Sequence, residues 1–299
     1  ASATGTGVTG TRAAGSAVTG TSATGTGVAG TRPAGSAITG SPITGTTAAG
    51  SPGAGVVGPL LAIDATEYAF KTLGSIPAGV TTVQLRNLGK ENHEAQFVRL
   101  NQGVTIDQLL AALQAAGNGP PPDIFTYEGG PAEIVPNRTS EVILNFREGQ
   151  YALLCFVAAP DKQPHAAKGM YLPITVTAAS GATTAIPTGS GAIALGSGAI
   201  GLPDTLPAGR STFRLTNQSQ SPRALFVGNI PADKTLADLQ QALGDPNGPP
   251  PWFQANGGMD GIGPGSTSAV VLNLTPGKYA VVDVAFGNEP PTGKIITVT

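Results

Sequence analysis

Cysteine, histidine and methionine are almost missing from this chain, which has one, two and two of them in 299 residues. A single cysteine excludes an internal disulfide, so the fold has to rest on its hydrophobic cores. Charge is scarce at 11%, with 16 basic against 18 acidic residues and no basic cluster, so no nucleic-acid partner is expected. Apolar runs are short. VVGPLLAI (56–63), one of the longest, is broken by glycine and proline, and nothing reads as a membrane span. Zinc spacings, phosphate loops and a convincing Ser/His/Asp arrangement are lacking, and Asp107, Asp123 and Glu128 read as solvated charges. The chain begins at Ala1 with no hydrophobic leader, which fits an exported protein whose signal peptide has been removed. The expected location is secreted or cell-surface. Sequons at Asn137, Asn217 and Asn273 would allow glycosylation in a suitable host.

What is present is glycine (43) and proline (26), which favour strands, turns and loops. Residues 3–57 divide into eleven pentads, from ATGTG and VTGTR onward, with glycine at the third place of each. Residues 3–22 and 23–42 nearly match, giving a twenty-residue unit. A period of five fits neither helix nor plain strand. Two readings stay open for this arm (1–58): a flexible Gly/Thr/Ser stalk, or an ordered, β-solenoid-like repeat that neighbouring chains help to bury.

The rest is duplicated. IPAGVTTVQLRN (76–87) matches LPAGRSTFRLTN (206–217), TIDQLLAAL (105–113) matches TLADLQQAL (235–243), and EVILNFREGQYALL (141–154) matches AVVLNLTPGKYAVV (269–282). Alternating strands and one short helix per copy predict an all-β protein. It is read as two tandem sandwiches (59–177 and 199–299), each with a helical insertion, joined by a Gly/Ser/Ala-rich linker at 178–198. Thr105 with Gln108 and Thr235 with Asp238 have capping-box spacing at the helix starts.

Three stretches carry a resemblance: NLGKENHE (87–94), GQYALLC (149–155) and HAAKGM (165–170). On these the first domain resembles the cupredoxins, Greek-key sandwiches that hold type 1 copper, and the second resembles them more weakly. The resemblance implies that His93 and His165 supply imidazoles, Cys155 a thiolate and Met170 an axial thioether to one copper ion. That soft, mixed set suits copper in both oxidation states. Taken singly, a buried cysteine or a packing methionine is the plainer reading; the four together favour a site. Nine residues separate Cys155 from His165, a loop longer than in small blue proteins and similar to that of the two-domain copper nitrite reductases. In the second domain Cys155 aligns with Asp283, the histidine region becomes SQSPRAL (218–224), and six residues are lost before the last strand, so no copper is expected there. The copper enzymes of this family need further histidines, one immediately before the cysteine, where this chain has Leu154; no enzyme activity is expected.

Two functions follow. The main expectation is an exported structural protein, a filament or stalk subunit that self-associates through the arm and exposed strand edges. The alternative is an extracytoplasmic copper protein that exchanges electrons with a redox partner.

Overall fold

In the computed structural model the described residues are 57–117, 122–179, 184–243, 249–287 and 289–299. The pentad arm lies outside them, apart from its last two residues. The first repeat runs β1 (Leu60–Thr66), β2 (Ala69–Lys71), β3 (Ser75–Pro77), β4 (Gly79–Asn87), β5 (Gln96–Leu100), α1 (Ile106–Ala116), β6 (Phe125–Gly129), β7 (Thr139–Phe146), β8 (Gly149–Leu154) and β9 (Tyr171–Thr177). The second runs β10 (Gly191–Leu195), β11 (Thr205–Leu206), β12 (Gly209–Asn217), β13 (Arg223–Ile230), α2 (Leu236–Leu243), β14 (Gln254–Ile262), β15 (Thr267–Leu274), β16 (Gly277–Ala285) and β17 (Thr292–Val298). The expected all-β double sandwich with one helix per repeat is the fold found.

The strands form because apolar residues alternate along them. In β1, Leu61, Ile63 and Ala65 point inward while their neighbours face out. The helices form where the capping boxes predict. The Thr105 hydroxyl accepts from the Gln108 amide and the Gln108 side chain accepts from the Thr105 N–H. Thr235 and Asp238 repeat the exchange. Leu109 of α1 is buried against Val98, Leu100, Ala152 and Leu154, so the helix covers the outer face of β5 and β8. Leu239 of α2 does the same against Ile230, Ala280 and Val282.

The two repeats are not separate beads. One sheet has the order β10-β12-β15-β7-β4-β1-β2 and the other β11-β17-β16-β13-β14-β6-β5-β8-β9-β3, so both cross from one repeat into the other. The joins are β7 with β15 and β6 with β14, and one hydrophobic cluster runs through both halves. Val142 pairs with Val270, and Pro131 bridges Met259. Each is a residue meeting its own duplicate, so a pseudo-twofold axis passes through these pairs, as in an isologous dimer. Residues 178–198, expected as a linker, contain β10. Ile193 and Leu195 of β10 are buried, and it lies parallel to β12 as β1 lies parallel to β4. The outermost strands β2, β3, β10 and β11 have three, three, five and two residues, which leaves little ladder for another chain to extend.

Next to the seam, each repeat has a Gly-Gly step packed against its own neighbouring backbone. Gly130 (φ 155°) and Gly258 (φ 126°) sit against the partner strand, where an added Cβ would lie 1.8 Å from the Ala95 carbonyl oxygen and 1.9 Å from that of Leu225. Gly130→Ala is expected to destabilise by about 2 kcal/mol or more in urea unfolding, because backbone has to move. Gly74→Ala, with open space around it, should change stability by less than about 1 kcal/mol.

Candidate metal centre

The site lies at one end of the first repeat, where β4, β8 and two loops meet. Asn87 ends β4 fully buried. Its amide donates to the carbonyls of Glu91 (2.8 Å) and Ile134 (3.0 Å), and its carbonyl accepts from Gly89 N–H (2.9 Å). This ties down the loop that delivers His93, which bridges Ile134 through two backbone bonds. Cys155 follows directly on β8. The nine-residue loop after it closes on itself: Ala159 N–H donates to Gln163, Lys162 takes a left-handed φ of 68°, and Ala158 bridges Pro164. His165 then opens a single 3-10 turn, His165–Lys168. Cys155 N–H donates to the Met170 carbonyl (3.2 Å), its own carbonyl accepts from Ala166 N–H (2.8 Å), and Met170 N–H donates to the His165 carbonyl (3.0 Å). The backbone alone thus fixes the cysteine, second histidine and methionine relative to one another.

His93, Cys155 and His165 are fully buried, and their donor atoms lie within 4.8 Å of one another. The two imidazoles face each other Nδ1 to Nδ1 at 3.2 Å, and the Cys155 sulfur is 3.4 Å from the His165 Nδ1. Met170 is fully buried in the same core cluster as Cys155. Of the four residues that the sequence brought forward, His93, Cys155 and His165 converge, and Met170 is bonded to two of them through the backbone. One of the two facing ring nitrogens can donate to the other; with both ring protons on Nε2, two lone pairs converge beside the Cys155 sulfur instead. A cation satisfies that arrangement, and imidazole, thiol and thioether together are the donor chemistry that suits copper. Burial and the neighbouring His165 lower the His93 pKa to about 4, which keeps this imidazole an electron-pair donor. Burial pushes the Cys155 thiol well up, so metal binding has to displace its proton.

The second repeat fills the same place differently. Arg223 bridges Ile262 as His93 bridges Ile134, and Asp283 holds the cysteine position. Arg223 Nε donates to Asp283 Oδ1 at 2.7 Å with both side chains 3% exposed, Arg223 also meets Glu289 at 2.6 Å, and Asp283 Oδ2 accepts from Gly196 N–H. An ion pair occupies the place of the donor set. Sequence reading found Asp283 but missed Arg223, although Arg223 stands six residues after Asn217 as His93 does after Asn87.

Buried carboxyls flank the centre at the seam. Glu94, beside His93, accepts from Phe156 N–H at 2.7 Å. Burial raises its pKa well above the usual range, helped by Asp260 and Glu133. Asp260 of the second repeat is raised to about 7, chiefly by burial. Asp260 Oδ2 and Gln96 Oε1 have no hydrogen-bond partner among the described residues.

No family model matches the chain, and no curated protein does. Among solved structures it is similar to a dithionite-reduced auracyanin from Roseiflexus castenholzii, at 21% identity over 41% of this chain and 99% of that one (TM-score 0.29). It is similar to auracyanin A, a "blue" copper protein from Chloroflexus aurantiacus, at 20% over 40% and 99% (TM-score 0.27). It is similar to a blue copper oxidase from Nitrosomonas europaea at 16% over 80% and 85% (TM-score 0.23).

Asp283→Ala, which leaves buried Arg223 only the half-exposed Glu289 as partner, is expected to cost about 2–4 kcal/mol in urea unfolding. The double change Arg223→Leu, Asp283→Leu should recover most of that. The raised Asp260 carboxyl has a folded pKa above its unfolded one. Its contribution is complete at pH below about 4 and is lost as pH rises through about 7. Asp260→Asn should therefore gain stability relative to the parent chain across that window, read from urea midpoints at each pH.

Proposed function

We propose that the first repeat would hold one copper ion through His93, Cys155 and His165, with the Met170 thioether as a weaker donor, and that the protein transfers single electrons. The observation that carries this is the facing pair of buried Nδ1 atoms with the Cys155 sulfur 3.4 Å from one of them. Bound copper would supply a one-electron couple. The chain's part is to hold the donors still: both backbone groups of Cys155 are engaged, and His93 is anchored through Ile134. The closed loop 156–164 and the surrounding core keep the donors away from bulk water, which limits rearrangement when charge changes. A second protein would serve as electron donor or acceptor, outside the cytoplasm if the chain is exported.

The second repeat, 199–299 together with β10, acts on this reading as the structural half. Its ion pair replaces the donor set, and its strands complete both sheets. The expected filament role rests on the arm, outside the described residues, and the short sheet edges give it no support.

Addition of one equivalent of Cu(II) to the purified, reduced protein should produce an intense visible band near the blue-copper region and a reversible one-electron wave. Cys155→Ser should abolish the band while leaving the far-UV spectrum intact. A colourless wild-type protein with a free, reduced Cys155 thiol would sink the proposal.

A further inference from the structure

His165 has a second nitrogen, and the chain has built something over it. Nε2 lies 2.9 Å from Glu91 Oε2, and the Tyr68 hydroxyl donates to the other oxygen of Glu91 at 3.3 Å. The Tyr68 ring meets the imidazole edge-on, 5.1 Å between centroids at 66°. The Lys168 ammonium stands over the Tyr68 ring, 5.3 Å from its centroid, and pairs with Asp161. The result is that the His165 side chain has no solvent exposure, although it lies at a loop-rich end of the sandwich.

Tyr68 occupies the tip between β1 and β2 with φ of 60°, a conformation a bulky aromatic residue rarely adopts. Nothing in the strand pairing of β1 with β2 calls for a tyrosine there. The duplication supplies an internal control. Ala65 pairs with Asn87 as Leu195 pairs with Asn217, which sets Tyr68 opposite Gly198, and Glu91 opposite Ser221. The repeat that has the histidines has the tyrosine and the glutamate; the repeat with the ion pair has neither.

We infer that Glu91 and Tyr68 form a cap on His165, in which Glu91 positions the imidazole and biases the metal's redox balance while Tyr68 shields the imidazole edge. This rests on the copper reading above. A carboxylate that accepts the Nε2 proton leaves the Nδ1 lone pair toward Cys155 and His93 and makes the ring a stronger donor. Its negative charge also favours the more positive oxidation state, Cu(II). The Tyr68 ring keeps a small electron acceptor from touching the imidazole. The electron step itself is simple: Cu(I) gives one electron to hexacyanoferrate(III), which becomes hexacyanoferrate(II), and no proton moves.

Two measurements test the cap. In metal-free protein, nitrogen NMR of His165 should show one tautomer with the proton on Nε2; Glu91→Gln, which can still accept, should keep it, and Glu91→Ala should give a mixture. In copper-loaded protein, Glu91→Gln should shift the Cu(II)/Cu(I) equilibrium toward Cu(I) about tenfold, a rise of about 59 mV for one electron. Tyr68→Ala should speed oxidation by hexacyanoferrate(III) at least tenfold, and Tyr68→Phe, which keeps the ring, much less. A wild-type tautomer in Glu91→Ala together with a wild-type potential in Glu91→Gln would overturn the positioning role. An unchanged oxidation rate in Tyr68→Ala would overturn the shielding. If wild-type protein forms no blue band, the copper reading falls and the redox part of the cap with it, and the tautomer experiment alone then decides whether Glu91 positions His165.

Discussion

In each repeat a buried asparagine amide ties the loop after β4 or β12 to a distant stretch of backbone, at Ile134 or Ile262, and the chemistry at that end hangs from it. Asn87 holds the Glu91 and Ile134 carbonyls and the Gly89 amide; Asn217 holds those of Ser221, Ile262 and Ser219 in the same way. Each bond contributes about 1 kcal/mol net, but leaving such groups buried and unpaired would cost about 1–3 kcal/mol apiece. The amide therefore does more than stabilise. It dictates where the sixth residue after it lands, and that residue is His93 in one copy and Arg223 in the other.

Given that fixed position, the two ends could diverge only in concert. An arginine facing a buried thiol would leave a charge without a partner, and a histidine facing a buried aspartate would lack the second imidazole that completes a donor set. The observed combinations are the two that close: converging neutral donors that can take a cation, or a cation built into the chain and balanced by Asp283 and Glu289. Arg223 serves the second copy as a permanent positive charge where the first copy is open to a metal ion.

Much of this was legible in the sequence because rarity made it so. A lone cysteine, both histidines and a methionine gathered in one repeat of a duplicated frame are hard to miss, and capping boxes announce their helices. What stayed hidden lacked a local signature. Val142 and Val270 look like any buried strand residues, so nothing along the chain says that each pairs with its own duplicate and merges the sheets. Residues 191–195 read as linker because Gly and Ala dilute the alternation of Ile193 and Leu195. Glu91 and Tyr68 are separated by twenty-two intervening residues, and only the fold brings a hairpin tip onto a histidine loop.

The merged sheets also give the proposed single-electron site a rigid frame in a chain with one cysteine. Electron exchange is fastest when the donors need not move as the charge changes, and a loop-borne site would ordinarily move. Here both backbone groups of Cys155 are bonded to the loop that returns with His165 and Met170, and the amide of Phe156 is held by Glu94. Glu94 in turn lies among carboxyls to which the second repeat contributes Asp260, so the packing behind the cysteine belongs to both copies. Removing the second repeat would expose β6 and β7 and open the rear wall of the site. On the proposed reading the second copy, whose corresponding positions hold the Arg223–Asp283 pair, is part of the support of the first copy's donor set.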